Sequence, residues 1–250
     1  MFNSLYEPLY ESRLRHQCIR RPKHIAIIQD GNRRYARKAG VDASTGHRAG
    51  ADVTERVLDW ARELGISYMT LYSFSTENFN RDHEEVASLF SLFKEKFLAI
   101  QSDDRVSRYR IRIRMVGDRS MLPKDLLATI EAAERATEHH DGFFLNVALA
   151  YGGRNEILDA ARRILAKVES GECSPGDITC SMVEEHLYGS PDVPPVDLII
   201  RTGGEFRTSN FLPWLANGHE SAVYFSAPFW PKFRKIDFLR AVRVYSQRTG

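Results

Sequence analysis

Cysteine and long apolar runs are scarce in this sequence of 250 residues. Its three cysteines, Cys18, Cys173 and Cys180, are odd in number and have no metal-binding spacing. This argues against a disulfide framework and favours a reducing compartment. No apolar run approaches the ~20 residues of a membrane span, and the polar start of the chain offers no secretory signal. We therefore expect a cytoplasmic protein.

Net charge is also small. The chain has 35 Lys and Arg against 33 Asp and Glu, which gives a formal charge of +2. This balance excludes a strongly basic nucleic-acid-binding protein and an acidic disordered chain. Charged residues make up 27% and hydrophobic residues 43%, which is typical of a globular protein. Any anion site must therefore arise from a local cluster of arginines.

The chain has no internal repeat and no low-complexity linker. Residues 1–23 are polar, and we interpret them as an N-terminal arm or short helix. From residue 24 onward, apolar runs occur at 24–29, 68–74, 111–116, 143–150, 196–200 and 222–229. Amphipathic stretches alternate with them at 47–64, 83–100, 123–139, 154–169, 180–187 and 236–247. This alternation predicts one α/β domain over 24–250, with a mostly parallel six-stranded sheet flanked by helices.

The stretch 83–100 shows a clear helical period. Its apolar residues Val86, Leu89, Phe90, Phe93 and Phe97 fall on one face. Such a stripe is typical of a helix that packs on a core. It is also compatible with the wall of an apolar tunnel, and periodicity does not separate the two.

A first polar cluster follows the first predicted strand. Asp30 comes at the strand end, where open α/β sheets bind ligands, and Gly31 permits a tight turn. A helix beginning near Asn32 would direct its free N–H groups at an anion. Positive charge is added by Arg33, Arg34, Arg37 and Lys38. A divalent cation between carboxylate and phosphate would explain this mixture, and a capped helix with a solvated basic face is the alternative. His47, near the start of the next helix, has either a structural role or a role in the site.

A second cluster follows the second strand. Ser75 and Asn78 lie just beyond its end, on the same edge as the first cluster if the sheet is parallel. They are candidates for positioning a substrate or assisting proton transfer. Thr76 and Asn80 are better explained as caps of the helix at 83–100.

A third cluster ends the fifth strand. Arg201 and Arg207 flank a Gly-Gly turn, and Ser209 follows two residues later. Guanidinium groups match phosphate oxygens in bidentate geometry, and glycines allow close approach of backbone amides. The alternative is an internal ion pair of Arg201, for example with Glu205.

Five ordered motifs carry a resemblance to a known family. They are HIAIIQDGNRRYARKAG at 24–40, GHRAG at 46–50, LYSFSTENFNR at 71–81, NVALAYGGRNEI at 146–157 and DLIIRTGGEFRTSNFLPW at 197–214. Together they resemble the cis-prenyltransferases of the undecaprenyl diphosphate synthase type, over residues 22–247. Arg33, where bacterial members usually have Gly, is similar to the archaeal and eukaryotic branch.

The resemblance implies roles for individual residues. Asp30 would be the catalytic carboxylate that handles Mg²⁺ and the diphosphates, and Ser75 and Asn78 would assist isopentenyl diphosphate and its proton loss. Substrate-binding roles are implied for Gly31, Asn32, Arg33, Arg34, His47, Phe74, Arg81, Phe143, Arg201, Arg207 and Ser209. The first four would hold the allylic diphosphate, with His47 beside it. Arg201, Arg207 and Ser209 would hold the isopentenyl diphosphate group. Phe143 would form the floor of an apolar tunnel.

Some positions depart from the family pattern. Gln29 stands where Met is usual. Ala43 stands where an Arg is common, so either binding of the allylic diphosphate would be weaker or Arg33 or Arg37 would substitute. The metal-binding Glu of the family corresponds to Glu220 when counted from Trp214, or to Ala222 when counted from the following strand, and Glu220 is favoured. The end of the chain, 248–250, is similar to an Arg-x-Gly motif that some members use across a dimer interface.

The resemblance implies a cis-prenyltransferase that condenses isopentenyl diphosphate with an allylic prenyl diphosphate. We expect a (Z)-polyprenyl diphosphate of short to medium length, Mg²⁺ as cofactor, a homodimer, and no nucleic-acid partner. Association with a membrane surface would come through the product. The alternatives are prenyl transfer to a different acceptor and a non-catalytic partner subunit, although the presence of Asp30 argues against the latter.

Overall fold

The structure, a computed structural model, describes residues 3–189, 193–217 and 221–248. Its strands are β1 (His24–Ile28), β2 (Tyr68–Tyr72), β3 (Ile111–Val116), β4 (Phe143–Ala148), β5 (Leu198–Arg201) and β6 (Ala222–Phe225). They form one sheet in the order β3-β4-β2-β1-β5-β6, and every neighbouring pair is parallel. Parallel strands need long crossovers, which explains why helices separate most of the strands along the chain. The predicted single α/β domain with six strands is confirmed.

Helices cover both faces of this sheet. They are α1 (Asn3–Gln17), α2 (Asn32–Ala39), α3 (Ala43–Glu63), α4 (His83–Ile100), α5 (Asp104–Arg108), α6 (Lys124–Thr137), α7 (Gly153–Glu169), α8 (Cys180–Glu185), α9 (Pro213–Asn217) and α10 (Lys235–Arg248). The sequence did not predict α5 and α9, because five residues are too few to show a helical period. In the part of the chain that the structure describes, no helix is both long and apolar enough to cross a membrane.

The start of α4 differs from the expectation. Asp82 caps this helix, and its carboxylate accepts the N–H groups of Glu84 at 2.9 Å and Glu85 at 3.3 Å. Thr76 and Asn80 instead bound a separate 3₁₀ turn between β2 and α4. The prediction that these two residues cap α4 is wrong, because an aspartate adjacent to the first turn is closer to the free amides.

Alternating strand residues divide the core into two layers. Ile25 and Ile27 of β1 pack in the larger layer with α1, α3, α4, α6 and α10. Ala26 and Ile28 face the smaller layer, which contains residues of α7 and α9. Because both faces are covered, all five residues of β1 are buried. This explains why the strand appears in the sequence as a continuous apolar run.

The order of the strands determines where a ligand site can form. β1 and β5 are neighbours, although the chain leaves β1 toward β2 on one side and continues from β5 to β6 on the other. Open α/β sheets bind ligands at such a switch point, beyond the carboxyl ends of the strands. Ile28 at the end of β1 is in register with Arg201 at the end of β5. The first and third polar clusters therefore meet there.

Candidate active site

An ion pair between the first and third clusters is at the centre of the site. The Arg201 side chain is only 4% exposed, and its Nη2 donates to Asp30 Oδ2 at 2.7 Å. Arg34, one turn into α2, approaches Asp30 Oδ1 with its Nη2 at 3.0 Å. Arg201 thus forms the internal ion pair that the alternative predicted, but its partner is Asp30, because Glu205 contacts Arg34 Nη1 at 3.2 Å. Two cations thus hold the Asp30 carboxylate at the strand end.

One nitrogen of the Arg201 guanidinium has no partner. Nη1 donates to the carbonyl oxygen of Arg207 at 2.6 Å and to the Ser209 hydroxyl. The buried Nε–H has no partner. A buried donor without an acceptor is costly, and structures tolerate such groups mainly where a ligand or water satisfies them. Arg201 is therefore oriented by the protein and incompletely satisfied by it.

Hydrogen bonds from Thr202 and Trp230 hold the backbone of Asp30 in place. The Thr202 hydroxyl donates to the Asp30 carbonyl at 2.8 Å and accepts its N–H at 3.0 Å, and the Trp230 N–H donates to the same carbonyl at 3.0 Å. Gly31 follows with φ +115°, and a Cβ there would lie 2.8 Å from Cβ of Phe229. Because glycine provides no side-chain cap, the first-turn amides of α2 remain available to an anion. Thr202 was missed by sequence reasoning, since a hydroxyl at a strand end carries no specific signal.

Glu85 gathers three basic residues at the rim. Its carboxylate lies 3.1 Å from His47 Nε2 and 3.0 Å from Arg81 Nη1, and its second oxygen lies 3.4 Å from Arg33 Nε. Burial is the main cause that holds the pKa of His47 below its ordinary value, so the imidazole is neutral at pH 7. Sequence reasoning did not identify Glu85, because its charge resembles that of a solvated first-turn residue. Its position in the first turn of α4 places it within ion-pair distance of Arg33 and Arg81.

The second cluster lies in the same cleft, whereas the neighbouring Phe74, for which the resemblance implies substrate binding, does not. Asn78 Oδ1 accepts the Ser75 N–H at 3.2 Å within the 3₁₀ turn, and both residues line the cleft. Phe74 does not line it. Its ring is 1% exposed and packs edge-on against Phe79, with the ring centroids 4.9 Å apart. Phe74 therefore supports the cleft from inside the core.

These residues surround a cleft of about 1180 Å³. The predicted residues that line it are Asp30, Gly31, Asn32, Arg33, Arg34, His47, Ser75, Asn78, Arg81, Arg201, Arg207 and Ser209. Its described lining contains six arginines against three carboxylates, so the local charge is positive although the chain is nearly neutral. A concave site with charge of one sign concentrates ligands of the opposite sign. The cleft is thus suited to polyanions.

An apolar cavity of about 220 Å³ adjoins the cleft. Gln29, Asn32, His47 and Ser73 line both spaces. The cavity reaches Phe143, the first residue of β4, and therefore extends along the strands for roughly 17–20 Å. From the stripe on α4, the side chains that line it are Leu89, Phe93 and Phe97. These residues also pack with the core, as expected of such a stripe, and the apolar tunnel stays a prediction.

The donors present fit a cation that is shared with substrate. Within the described ranges, no group of three or more His, Cys, Asp or Glu side chains is placed to hold a metal. Mg²⁺ is commonly bound by one or two carboxylates together with substrate phosphates, and Asp30 at the arginine-rich cleft fits that arrangement. Glu220 lies outside the described residues. Ala222, the alternative position, is buried in β6 and offers no side-chain oxygen.

Comparison with known proteins identifies the family. The family model described as "Putative undecaprenyl diphosphate synthase" matches residues 28–250. The chain belongs to this undecaprenyl diphosphate synthase family and is a prenyltransferase. The predicted family is thereby confirmed.

Individual relatives agree with this assignment. The tritrans,polycis-undecaprenyl-diphosphate synthase (geranylgeranyl-diphosphate specific) of Methanosarcina mazei is 52% identical, over 99% of this chain and 83% of the relative. The protein of the same name from Archaeoglobus fulgidus is 48% identical, over 99% of this chain and 97% of the relative. The crystal structure of lavandulyl diphosphate synthase from Lavandula x intermedia, in complex with dimethylallyl diphosphate, superposes with a TM-score of 0.85 at 36% identity. The superposition covers 90% of this chain and 95% of the lavandulyl diphosphate synthase chain.

Proposed function

We propose that the protein condenses isopentenyl diphosphate with geranylgeranyl diphosphate to form a (Z)-polyprenyl diphosphate of medium length. The observation that carries the proposal is the buried Arg201, which is paired with Asp30 and has an unpartnered Nε–H in an arginine-rich cleft that adjoins an apolar cavity. The choice of primer follows the names of the archaeal relatives, which share about half of their residues with this chain.

The allylic substrate has a binding position on the α2 side of the cleft. The amides of Gly31, Asn32 and Arg33 would bind its diphosphate, together with the Arg34 side chain. Ala43 lines the cleft, and the nearby Arg37 provides charge that an arginine at position 43 would otherwise supply. The prenyl tail would enter the cavity, which we propose as the apolar tunnel. Burial of one five-carbon unit contributes on the order of 4 kcal/mol at about 0.8 kcal/mol per CH₂.

Isopentenyl diphosphate would bind on the β5 side. Arg201, Arg207 and Ser209 would hold its diphosphate, because the Ser209 hydroxyl and the Arg201 guanidinium already contact each other there. Ser75 and Asn78 lie across the cleft, where they would orient the reacting alkene and assist proton loss. Arg81 would add positive charge from the rim.

In the reaction, the allylic C–O bond breaks, a carbon–carbon bond to isopentenyl diphosphate forms, and a proton is lost to give a new cis double bond. Asp30 would hold Mg²⁺ together with a substrate diphosphate. When bound, the ion neutralises charge on the departing diphosphate. Arg34 and the α2 amides stabilise the same developing charge from fixed positions, without solvent reorganisation.

The assembly and location that we propose follow from exposed apolar surface and from the product. Phe206 is 80% exposed and packs against Phe225 of the edge strand β6, with the ring centroids 5.4 Å apart. We propose that this edge is covered in a homodimer. Thr249 and Gly250 of the Arg-x-Gly motif lie outside the described residues. A cytoplasmic enzyme with an apolar product would release it at a membrane surface.

The test is incorporation of labelled isopentenyl diphosphate by the purified protein, with C10, C15 and C20 allylic primers compared in parallel. We expect Mg²⁺-dependent chain growth, fastest with the C20 primer, and none after chelation. Competing acceptors analysed by mass spectrometry provide the control for transfer to another nucleophile. Prenylated products that lack isopentenyl units would favour the alternative acceptor. No turnover with any primer would favour a non-catalytic subunit.

A further inference from the structure

The apolar cavity ends at a group of charged side chains. Leu71 and Leu145 of the sheet and Leu89 of α4 form part of its apolar lining. Near Ile111 and Phe143, which begin β3 and β4, the lining changes from hydrocarbon to carboxylate, ammonium and guanidinium groups. This charged end is opposite to the diphosphate cleft, because the cleft lies beyond the carboxyl ends of the same strands.

Glu55 of α3 is at the centre of the charged group. Its Oε1 accepts from Lys96 Nζ of α4 at 2.9 Å, and its Oε2 accepts from Arg105 Nη2 of α5 at 3.1 Å. Asp103 in turn lies 2.6 Å from Arg105 Nη2. One carboxylate thus connects three helices around the end of the cavity. We refer to Glu55, Lys96 and Arg105 as the charged latch.

The charged latch borders both the cavity and solvent. Its three side chains are 42%, 36% and 44% exposed, yet all three residues also line the cavity. Burial by itself would raise the pKa of Glu55, but hydrogen bonds from Lys96 and Arg105 outweigh this effect and lower it. The carboxylate is therefore ionised at neutral pH, and both cations have a partner.

We propose that the charged latch closes the far end of the cavity and limits the length of the polyprenyl product. This inference rests on the proposed function. A tail that grows past the charged latch must separate Glu55 from both cations and place hydrocarbon beside unpaired charges, which is unfavourable. Phe143 narrows the same region from the sheet side, whereas the charged latch spans the gap between the helices.

The direct test removes the carboxylate. Glu55→Ala deletes the connection, and Glu55→Gln keeps the shape of the side chain but removes the charge. Each variant is incubated with geranylgeranyl diphosphate and excess labelled isopentenyl diphosphate, and product lengths are measured by chromatography. We expect the most abundant product of both variants to be longer than that of the parent by at least one isoprene unit.

The matched control lies on α4, the helix that provides Lys96 to the charged latch. Lys94 of α4 pairs with Asp125 at 2.6 Å, and neither is among the described residues that line the cavity. Lys94→Ala breaks an ion pair of similar exposure, so product lengths should stay those of the parent. A lengthening in Lys94→Ala equal to that in Glu55→Ala would assign the effect to general loosening of α4 and overturn the proposal.

The dependence of product length on ionic strength tests the charges of the latch separately from its packing. Raising salt from ~0.1 M to ~1 M shortens the Debye length from about 10 Å to about 3 Å. The products of the parent should therefore lengthen with salt, whereas those of Glu55→Ala should not. The role of the charged latch is overturned if Glu55→Ala makes products of the same length as the parent at ~0.1 M salt. It is also overturned if the product lengths of the parent do not change with salt. Absence of labelled product from the parent itself overturns the proposed function instead.

Discussion

Replacement of Arg201 by lysine tests the centre of the site. Lysine keeps the positive charge beside Asp30, which also retains Arg34 as a partner. It removes the planar group that reaches Arg207 O, Ser209 Oγ and Asp30 together and whose Nε has no partner. We therefore expect little loss of folding stability and a large loss in the binding of isopentenyl diphosphate.

The magnitude follows from the contacts that are lost. A hydrogen bond to a charged group contributes about 1.5–3 kcal/mol, and lysine at position 201 forfeits at least one such bond to the diphosphate. At about 1.4 kcal/mol for each factor of ten, KM for isopentenyl diphosphate should rise roughly 10- to 150-fold. KM for the allylic diphosphate should change far less, because α2 holds that substrate.

Steady-state kinetics with each substrate varied in turn measures both constants. Arg162→Lys is the control, because Arg162 is 68% exposed on α7 and pairs with Asp159 at the surface. A rise confined to the allylic substrate would show that the two diphosphate positions are exchanged. An equal rise for both substrates, or no rise at all, would refute the reasoning.

Other residues give three further expectations. Phe143→Ala should lengthen the products, as chromatography against the parent would show, and the same lengths in variant and parent would remove Phe143 as the floor. Asp30→Asn keeps the shape of the side chain but not its charge, and should lower kcat by about 10²–10³-fold. Its Tm should also fall, because the buried Arg201 loses its charged partner. Burial raises the pKa of Glu156 from an ordinary value of 4.5 to about 7. The folded state then binds more protons between these values, so stability falls by about 3 kcal/mol as pH rises from about 4.5 to about 7. Glu156→Gln should abolish this dependence in denaturant unfolding curves, and an unchanged slope would contradict the assigned cause.

Near neutrality of the whole chain conceals a strongly polarised site. The six arginines and three carboxylates of the cleft lining leave an excess of positive charge where two diphosphates are proposed to bind. Glu85 reduces this charge at the rim by neutralising part of Arg81 and Arg33. When substrate is absent, such internal pairs limit the repulsion among the arginines. A diphosphate then has to compete with Glu85 for the same cations.

Much of the fold could be predicted from the sequence because its signals are local. The alternation of apolar runs with amphipathic stretches records strands that are buried on both faces and the helices that cover them. The run at 111–116 coincides with β3, and the stretch at 83–100 coincides with α4. Polar residues at the end of an apolar run, such as Asp30 and Arg201, mark the edge of the sheet where ligands bind.

The sequence by itself thus determined the class of fold, the family and most residues of the cleft. The tertiary structure decided which of these residues face each other. The Asp30–Arg201 pair exists because β1 and β5 are neighbours, and residues 171 positions apart in the chain leave no periodic signal of their contact. Thr202 and Glu85 became recognisable only through the atoms that they contact, and Phe74 proved to belong to the core for the same reason. Spacing along a chain records local conformation, whereas partners across a sheet are determined by strand order and packing.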